Sequence, residues 1–317
     1  MDNINNNVLE VSGLCKDYGN RRVLKNISFS VGRGDTVGFL GPNGAGKSTV
    51  MNIVTGYLSA TSGSVRVCGR DILEEPLAAK QRIGYLPEQP PLYNDMRVGE
   101  YLSFVYELKK CCGDRKERVR ECMKLVRIED AADKMIKTLS KGYRQRVGIA
   151  QALISDPEIL ILDEPTVGLD PSQIIEFRHL ISDVGKTRTV ILSTHILQEI
   201  TAVCGRIIII NNGEIILSGA VDELADETGC KIAAVCSAQT GKEILKRAGA
   251  ECISCSEEEK ETVFYTAADR SVRINIFKEF AAADIPLTEL TADFETIEDI
   301  YMKAVSGSLA GSGDAAQ

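Results

Sequence analysis

The nine residues from Gly41 to Thr49 constrain the fold of this chain more than any other stretch. They read GPNGAGKST and match the pattern G-x-x-x-x-G-K-[S/T]. The preceding Thr36–Leu40 is predicted to be a short buried strand, and Ser48 is predicted to open a helix. A strand, a glycine-rich turn and a helix start direct backbone N–H groups towards a phosphate chain. The stretch is therefore predicted to hold the phosphates of a nucleoside triphosphate.

Every residue of this loop is a candidate contact for the phosphates. Lys47 is expected to reach the β- and γ-phosphates, and the Ser48 hydroxyl is expected to ligate Mg²⁺. An ordinary glycine-rich turn before a helix is the alternative, and the full pattern in a strand–loop–helix context disfavours it. The predicted phosphate-binding residues are Gly41, Pro42, Asn43, Gly44, Ala45, Gly46, Lys47, Ser48 and Thr49.

Two adjacent acids, Asp163 and Glu164, follow the apolar run at residues 158–162. Asp and Glu are seldom buried without a cation or another partner. Near a phosphate loop, Asp163 is expected to hold Mg²⁺ through its water shell, and Glu164 to polarise an attacking water as general base. A helix-capping carboxylate is the alternative for either acid taken alone. The pair therefore predicts hydrolysis of the bound nucleotide.

The pattern along the chain predicts an α/β fold. Short apolar runs such as those at residues 158–162 and 189–193 alternate with helical segments, which indicates a largely parallel sheet. Between residues 96 and 154 the apolar spacing changes to three and four residues. We expect an inserted helical subdomain at about residues 94–154, and acids at the carboxyl ends of strands are where such sheets bind ligands.

Length and composition limit the classes of protein to which the chain could belong. Its 317 residues are enough for one large domain and a small one. No apolar run approaches the ~20 residues of a membrane-spanning helix, and the first residues do not resemble a signal peptide. Ten cysteines without such a signal suggest reduced thiols in a cytoplasm. A net charge of −8 argues against broad nucleic-acid binding. Because no segment is expected to span a membrane, any membrane role is expected to come through a partner.

Five short motifs occur along the chain in one order. After the phosphate loop come Leu139-Ser140, Asp163-Glu164, Gly168-Leu169-Asp170 and Ser193-Thr194-His195. From about Val8 to Leu224 the chain therefore resembles the ATP-binding subunit of an ATP-binding-cassette (ABC) transporter. The resemblance implies a P-loop NTPase cassette that binds ATP and Mg²⁺.

The resemblance also implies roles for individual residues. Tyr18 matches the aromatic residue that stacks on adenine. Ser140 and Gly142 match the signature that contacts the γ-phosphate held by the opposite subunit, and Asp170 matches a loop that communicates across the dimer. His195 matches the switch histidine that contacts the γ-phosphate and the attacking water. The expected catalytic residues are then Glu164, His195 and Lys47.

The chain departs from the family pattern in two places. The signature reads Leu139-Ser140-Lys141-Gly142-Tyr143, which resembles a variant of the exporter branch related to drug resistance and gliding motility. In the glutamine loop, Glu88 stands where the Mg²⁺-sensing glutamine usually lies, and Gln89 follows it. Either residue could contact the nucleotide site. Glu88 joins Ser48 and Asp163 as a candidate metal ligand.

The function that the resemblance implies is ATP hydrolysis coupled to export. The chain would dimerise around two Mg-ATP, as a homodimer or with a second cassette, and drive an integral-membrane permease from the inner face of the membrane. The alternative is a soluble ABC-type ATPase that acts on DNA or ribosomes. A single cassette, no zinc spacing and no sustained heptads disfavour it. A cassette that only binds nucleotide is disfavoured by Glu164 and His195.

The predicted ATP-binding domain spans residues 1–228 and is followed by a smaller domain at residues 229–305. Its strands and helices are predicted in the order β-α-β-β-α-β, which resembles a ferredoxin-like α+β fold. Residues 296–301 also resemble the closing helix of an accessory domain in the same exporter branch. Residues 306–317 are rich in Gly, Ser and Ala and are predicted to be a disordered tail.

Overall fold

The chain divides into two compact units after Ala220 in the computed structural model. The structure describes residues 6–221, 229–257, 261–268, 270–292 and 297–310. The boundary expected from the sequence lies later, between residues 228 and 229, and residues 222–228 fall outside the described part.

Ten strands and seven α-helices make up the described first unit. The strands are β1 Asn7–Tyr18, β2 Arg21–Gly32, β3 Thr36–Leu40, β4 Ser62–Val67, β5 Arg70–Asp71, β6 Ile83–Leu86, β7 Ile159–Asp163, β8 Thr189–Thr194, β9 Arg206–Asn211 and β10 Glu214–Ala220. The helices are α1 Lys47–Val54, α2 Pro76–Gln81, α3 Val98–Leu108, α4 Arg115–Leu125, α5 Lys141–Leu153, α6 Pro171–Gly185 and α7 Leu197–Val203.

The central sheet has six strands in the order β10-β9-β3-β8-β7-β6. Five of them are parallel, and only β10 runs antiparallel to its neighbour β9. Every residue of β7 and of β8 is buried, as expected for strands covered on both faces. The predicted α/β class with a largely parallel sheet is confirmed.

A second, antiparallel sheet has the strand order β2-β1-β4-β5. One hydrophobic cluster contains residues of both sheets and of α1, among them Leu9, Phe39 and Met51. The rings of Phe29 and Phe39 lie 5.6 Å apart in this cluster. The phosphate loop, which connects β3 to α1, is therefore anchored at both ends in a packed core.

Helices α3, α4 and α5 lie between β6 and β7 in the chain, within the predicted helical subdomain. Val98, Tyr101, Leu102 and Val105 are buried on one face of α3, at the spacing that predicted the helix. Leu108 continues this spacing but is 67% exposed, because α3 ends there. Across the described residues, we find no helix that is long and apolar enough to cross a membrane.

The second unit is an antiparallel sheet with helices. Its elements are β11 Gly229–Ala234, α8 Ala238–Arg247, β12 Cys252–Glu257, β13 Thr262–Ala267, α9 Arg270–Ala282, β14 Leu287–Ala292 and α10 Ile297–Ala310. The strand order is β12-β13-β11-β14, around a core that contains Ile232, Phe264 and Phe280. The first six elements follow the order β-α-β-β-α-β, and the ferredoxin-like fold itself stays a prediction.

The C-terminal helix α10 extends to Ala310, so residues 306–310 are helical where the sequence analysis expected a disordered tail. Residues 311–317, the rest of that expected tail, lie outside the described residues. All ten cysteines are free thiols.

Candidate functional site

The phosphate loop leaves the carboxyl end of β3, at the middle of the parallel sheet. Gly46 caps α1 with a backbone φ of 111°, which an L side chain rarely adopts. At Gly41 a Cβ atom would lie 2.3 Å from the carbonyl oxygen of Ile210 on β9. Glycine at these two positions therefore lets the loop turn tightly against the sheet and enter the helix.

Lys47 is the first residue of α1, and its side chain is only 5% exposed. Its ammonium donates to the carbonyl oxygen of Gly41 at 2.8 Å and lies 3.3 Å from that of Pro42. It also lies 3.2 Å from Oε1 of Glu164. A buried ammonium is costly unless it is paired, and these oxygens hold it at the floor of the loop.

Glu164 follows β7 and connects Lys47 to His195. Its backbone φ is 47°, in the left-handed region that is uncommon outside glycine. Its N–H donates to the carbonyl oxygen of Ser193 at 2.8 Å, across the parallel pairing of β7 with β8. Oε2 lies 2.8 Å from Nδ1 of His195, the residue that follows β8. The predicted base and the predicted switch histidine are thus in contact.

Asp163, the last residue of β7, is buried next to the phosphate loop. Burial raises the pKa of its carboxyl above the ordinary value, and the hydroxyls of Ser193 and Ser48 act in the opposite direction. Among the described residues, its Oδ1 atom has no hydrogen-bond partner. A buried carboxylate oxygen without a partner, beside the Ser48 hydroxyl, is a donor set that suits a hard cation such as Mg²⁺.

Lys47, Glu164 and His195 border one open cleft of about 610 Å³, which is large enough for a nucleotide, whereas Asp163 is not among its lining residues. The predicted site residues along its wall are Tyr18, Asn43, Gly44, Gly46, Lys47, Ser48, Thr49, Glu88, Glu164 and His195. The sequence analysis did not anticipate three further lining residues, which are Arg21, Val23 and Val167. No local pattern marks them, because they reach the cleft through the folding of β2 and of the loop after β7.

The two glutamine-loop candidates have different surroundings. Glu88 lines both the nucleotide cleft and a neighbouring pocket, whereas Gln89 lines the neighbouring pocket together with Gln145 of α5. The backbone carbonyl of Glu88 lies 3.4 Å from Nε2 of Gln145. Of the two residues, Glu88 borders the cleft, and its role as the metal contact stays a prediction.

Tyr18 lies at the end of β1 and is 50% exposed at the rim of the cleft. The ammonium of Lys16 is 5.2 Å from the centre of its ring and donates to the carbonyl oxygen of Ser59 at 2.7 Å. This cation–π contact supports the ring. An exposed aromatic surface at the rim remains available for stacking.

Ser140, Gly142 and Asp170 do not line the cleft of their own chain. Ser140 caps α5 and accepts from the N–H of Tyr143, and Asp170 caps α6 and accepts from the N–H of Gln173 at 2.8 Å. A hydrogen bond from Ser172 lowers the pKa of Asp170. All three residues thus lie at the starts of α5 and α6 and outside the lining of the cleft.

The Lys47 ammonium, the Glu164 carboxylate and the His195 ring thus lie together at the phosphate loop. Comparison with known proteins identifies the family in which such a site occurs. The family model described as ABC transporter matches residues 24–167. A Bacillus subtilis protein, the uncharacterized ABC transporter ATP-binding protein YxlF, is 32% identical over 94% of this chain and 99% of its own length. The chain belongs to the ATP-binding subunits of ABC transporters. The ABC transporter subunit described here is therefore an ATP-binding protein and an ATPase.

Two further comparisons agree with this family. The Nod factor export ATP-binding protein I of Ralstonia nicotianae is 36% identical to this ABC subunit over 72% of each chain. A dimeric structure of the ATP-binding cassette MJ0796, in a post-hydrolysis state bound to ADP and Pi, matches with a TM-score of 0.61 and 26% identity. The match covers 67% of this chain and 98% of the MJ0796 chain. The P-loop NTPase cassette fold is confirmed, and the findings favour a transporter subunit over the soluble ATPase.

Proposed function

We propose that this subunit binds two Mg-ATP between two cassettes and drives export through an integral-membrane permease. The observation that carries the proposal is the contact of Glu164 with both Lys47 and His195 inside the nucleotide cleft. Relatives named for Nod factor export and for linearmycin resistance support export as the direction of transport. The subunit is expected to lie in the cytoplasm, at the inner face of the membrane.

In this proposal the cleft orders ATP from base to γ-phosphate. Tyr18 stacks on adenine at the rim, while the N–H groups of the phosphate loop and Lys47 hold the phosphates. Glu164 accepts a proton from the attacking water as it adds to the γ-phosphorus and ADP departs. His195, in contact with Glu164, orients this carboxylate and contacts the γ-phosphate.

Ser48, Asp163 and Glu88 would hold Mg²⁺. Three observations support this fit. Among the described residues, the buried Oδ1 of Asp163 has no hydrogen-bond partner, and a hydrogen bond from the Ser48 hydroxyl lowers the pKa of the same carboxyl. Glu88 lies in the wall of the cleft. Bound Mg²⁺ would offset negative charge on the β- and γ-phosphates. Burial disfavours the charged carboxylate of Asp163, and a bound cation would offset that cost.

A second cassette is expected to complete each nucleotide site. Ser140, Gly142 and Asp170 lie outside the cleft of their own chain, which is consistent with action on ATP held by a partner. These residues lie at the starts of α5 and α6, and helix starts favour contact with phosphate. The partner is a second copy or a different cassette, and a single subunit should hydrolyse ATP slowly.

The segment from Pro87 to Met96 is the proposed docking surface for the permease. Tyr93 is 55% exposed, and its ring lies 5.6 Å from that of Phe104 and 5.9 Å from that of Tyr101 on α3. Leu92 and Met96 are half-buried beside it. The segment joins the strand next to the catalytic acids to the helical subdomain. A partner bound here would thus sense movement at the cleft.

The test is to replace Leu92 and Tyr93 together by Glu in cells that contain the natural permease. We expect ATPase activity of the purified subunit to persist while the protein moves from the membrane fraction to the soluble fraction. Leu108→Glu is the matched control, since Leu108 is an exposed apolar residue at the far end of α3. If the double variant stays on membranes, or if the wild type is wholly soluble beside its partners, the export proposal fails.

A further inference from the structure

A buried glutamate on α7 joins the segments that carry the two proposed catalytic residues. Glu199 is only 2% exposed. Its Oε1 accepts a hydrogen bond from the hydroxyl of Thr166 at 2.5 Å, and its Oε2 accepts one from the hydroxyl of Thr194 at 2.9 Å. Thr166 and Thr194 are themselves buried. Both oxygens of one carboxyl therefore bond to two separate stretches of the chain.

These two stretches are the ones that present Glu164 and His195. Thr166 lies two residues after Glu164, and Thr194 directly precedes His195. The hydroxyl of Thr194 also accepts from the N–H of Ile196 at 3.1 Å, so the backbone is fixed on both sides of the histidine. Glu199 thus sets the spacing of two loops whose side chains meet 2.8 Å apart.

Packing alone does not account for an acid at this position. Burying a carboxyl is costly, and an apolar side chain of similar size would fill the space without that cost. In the described residues no Lys, Arg or His forms an ion pair with Glu199, so the group is not part of a salt bridge. What it supplies is two short, directional hydrogen bonds of defined length.

We propose that Glu199 is a positioning residue for ATP hydrolysis, which holds Glu164 and His195 in their productive geometry. Glu199 does not line the nucleotide cleft and acts only through Thr166 and Thr194. The inference rests on the catalytic roles proposed above for Glu164 and His195. A displacement of about 1 Å at reacting groups costs on the order of 10²-fold in rate, so a small change in loop spacing is enough to slow hydrolysis.

The test compares kcat, KM for ATP and nucleotide affinity of purified Glu199→Met, Thr194→Val and Thr194→Ser with the wild type. Methionine has a similar size but cannot bond to both threonine hydroxyls, so Glu199→Met and Thr194→Val should each lower kcat by about 10- to 100-fold with KM and affinity unchanged, since the phosphate loop is untouched. Thr194→Ser keeps the hydroxyl and should retain most of the activity. Thr201→Val, on the same helix with its hydroxyl 3.5 Å from the Leu197 carbonyl, is the matched control and should behave as wild type.

Thr166→Val breaks one of the two bonds and supplies a second measurement if Glu199→Met folds poorly. A wild-type kcat in folded Glu199→Met, or equal activities of Thr194→Val and Thr194→Ser, would overturn the inference. A purely structural role would lower the melting temperature and leave the kcat of the folded protein unchanged. Glu164→Gln and His195→Ala, measured in parallel, test the proposed function on which the inference rests. Full activity in those two variants would remove the proposed catalytic roles of Glu164 and His195.

Discussion

Replacing Glu164 by Gln tests the chemistry of the cleft directly. Glutamine has the same shape, so an amide oxygen can still accept from Lys47, whose ammonium lies 3.2 Å from Oε1 of Glu164. The variant loses the ability to take a proton from water. Loss of a general base costs ~10²–10⁴ in rate, which corresponds to about 2.7–5.4 kcal/mol at ~1.36 kcal/mol for each factor of ten.

Binding of ATP should survive this substitution. Lys47 keeps its contacts to the carbonyl oxygens of Gly41 and Pro42, and Ser48 and Asp163 are unchanged. Removing the negative charge next to the γ-phosphate should also favour the ATP-bound form. We therefore expect Glu164→Gln to accumulate as an ATP-bound dimer.

Phosphate release measures turnover, equilibrium binding of a fluorescent ATP analogue measures affinity, and size-exclusion chromatography with ATP reports the dimer. Glu158→Gln is the matched control. It changes the glutamate that directly precedes β7, whose carboxylate pairs with Arg33 and Arg82. Turnover of Glu164→Gln close to that of the wild type would refute the assignment of the base. Loss of binding would instead indicate that the charge of Glu164 is needed to place Lys47.

Two further predictions concern the glutamine loop and a buried thiol. Glu88→Ala should lower turnover with little change in ATP affinity, and Gln89→Ala should lower turnover only slightly, because Glu88 and not Gln89 lines the cleft. Steady-state kinetics of both variants test this. A larger loss of turnover in Gln89→Ala would assign the role to Gln89. Burial raises the pKa of the Cys204 thiol from its ordinary 9.0 to about 12. Between pH 8 and 10 the thiol therefore ionises in the unfolded chain but not in the folded one, so the free energy of unfolding falls as the pH rises. Cys204→Ala should reduce that loss of unfolding free energy by about 1 kcal/mol in denaturant titrations, and equal losses in both proteins would contradict the assignment.

Much of the site could be predicted because its residues are coded by short, local patterns. The phosphate loop needs glycine where φ is positive or where β9 approaches, so its identity is visible in nine consecutive residues. Asp163 and His195 lie directly at or after buried strands, and the carboxyl ends of parallel strands share one edge of a sheet. Apolar periodicity likewise predicted α3 and its buried face.

Other features depend on distances between segments that are remote in the chain, which periodicity and motifs do not contain. The place of Glu88 in the cleft wall follows from the path of the loop after β6, where a shift of one residue changes the surface that a side chain faces. The end of the C-terminal helix at Ala310 also differs from the composition-based boundary.

By itself, the amino-acid sequence determined the parts of this protein that are local: the phosphate loop, the acids after β7, the histidine after β8 and the class of fold. The tertiary structure decided which of these groups touch. The parallel register that pairs Asp163 with Ser193 brings Glu164 to His195, and it lets Glu199 bond both loops from α7. The physical reason is that such contacts form only when the sheet aligns segments about thirty residues apart in the chain. Local sequence patterns contain neither that strand register nor the burial that makes those hydrogen bonds strong.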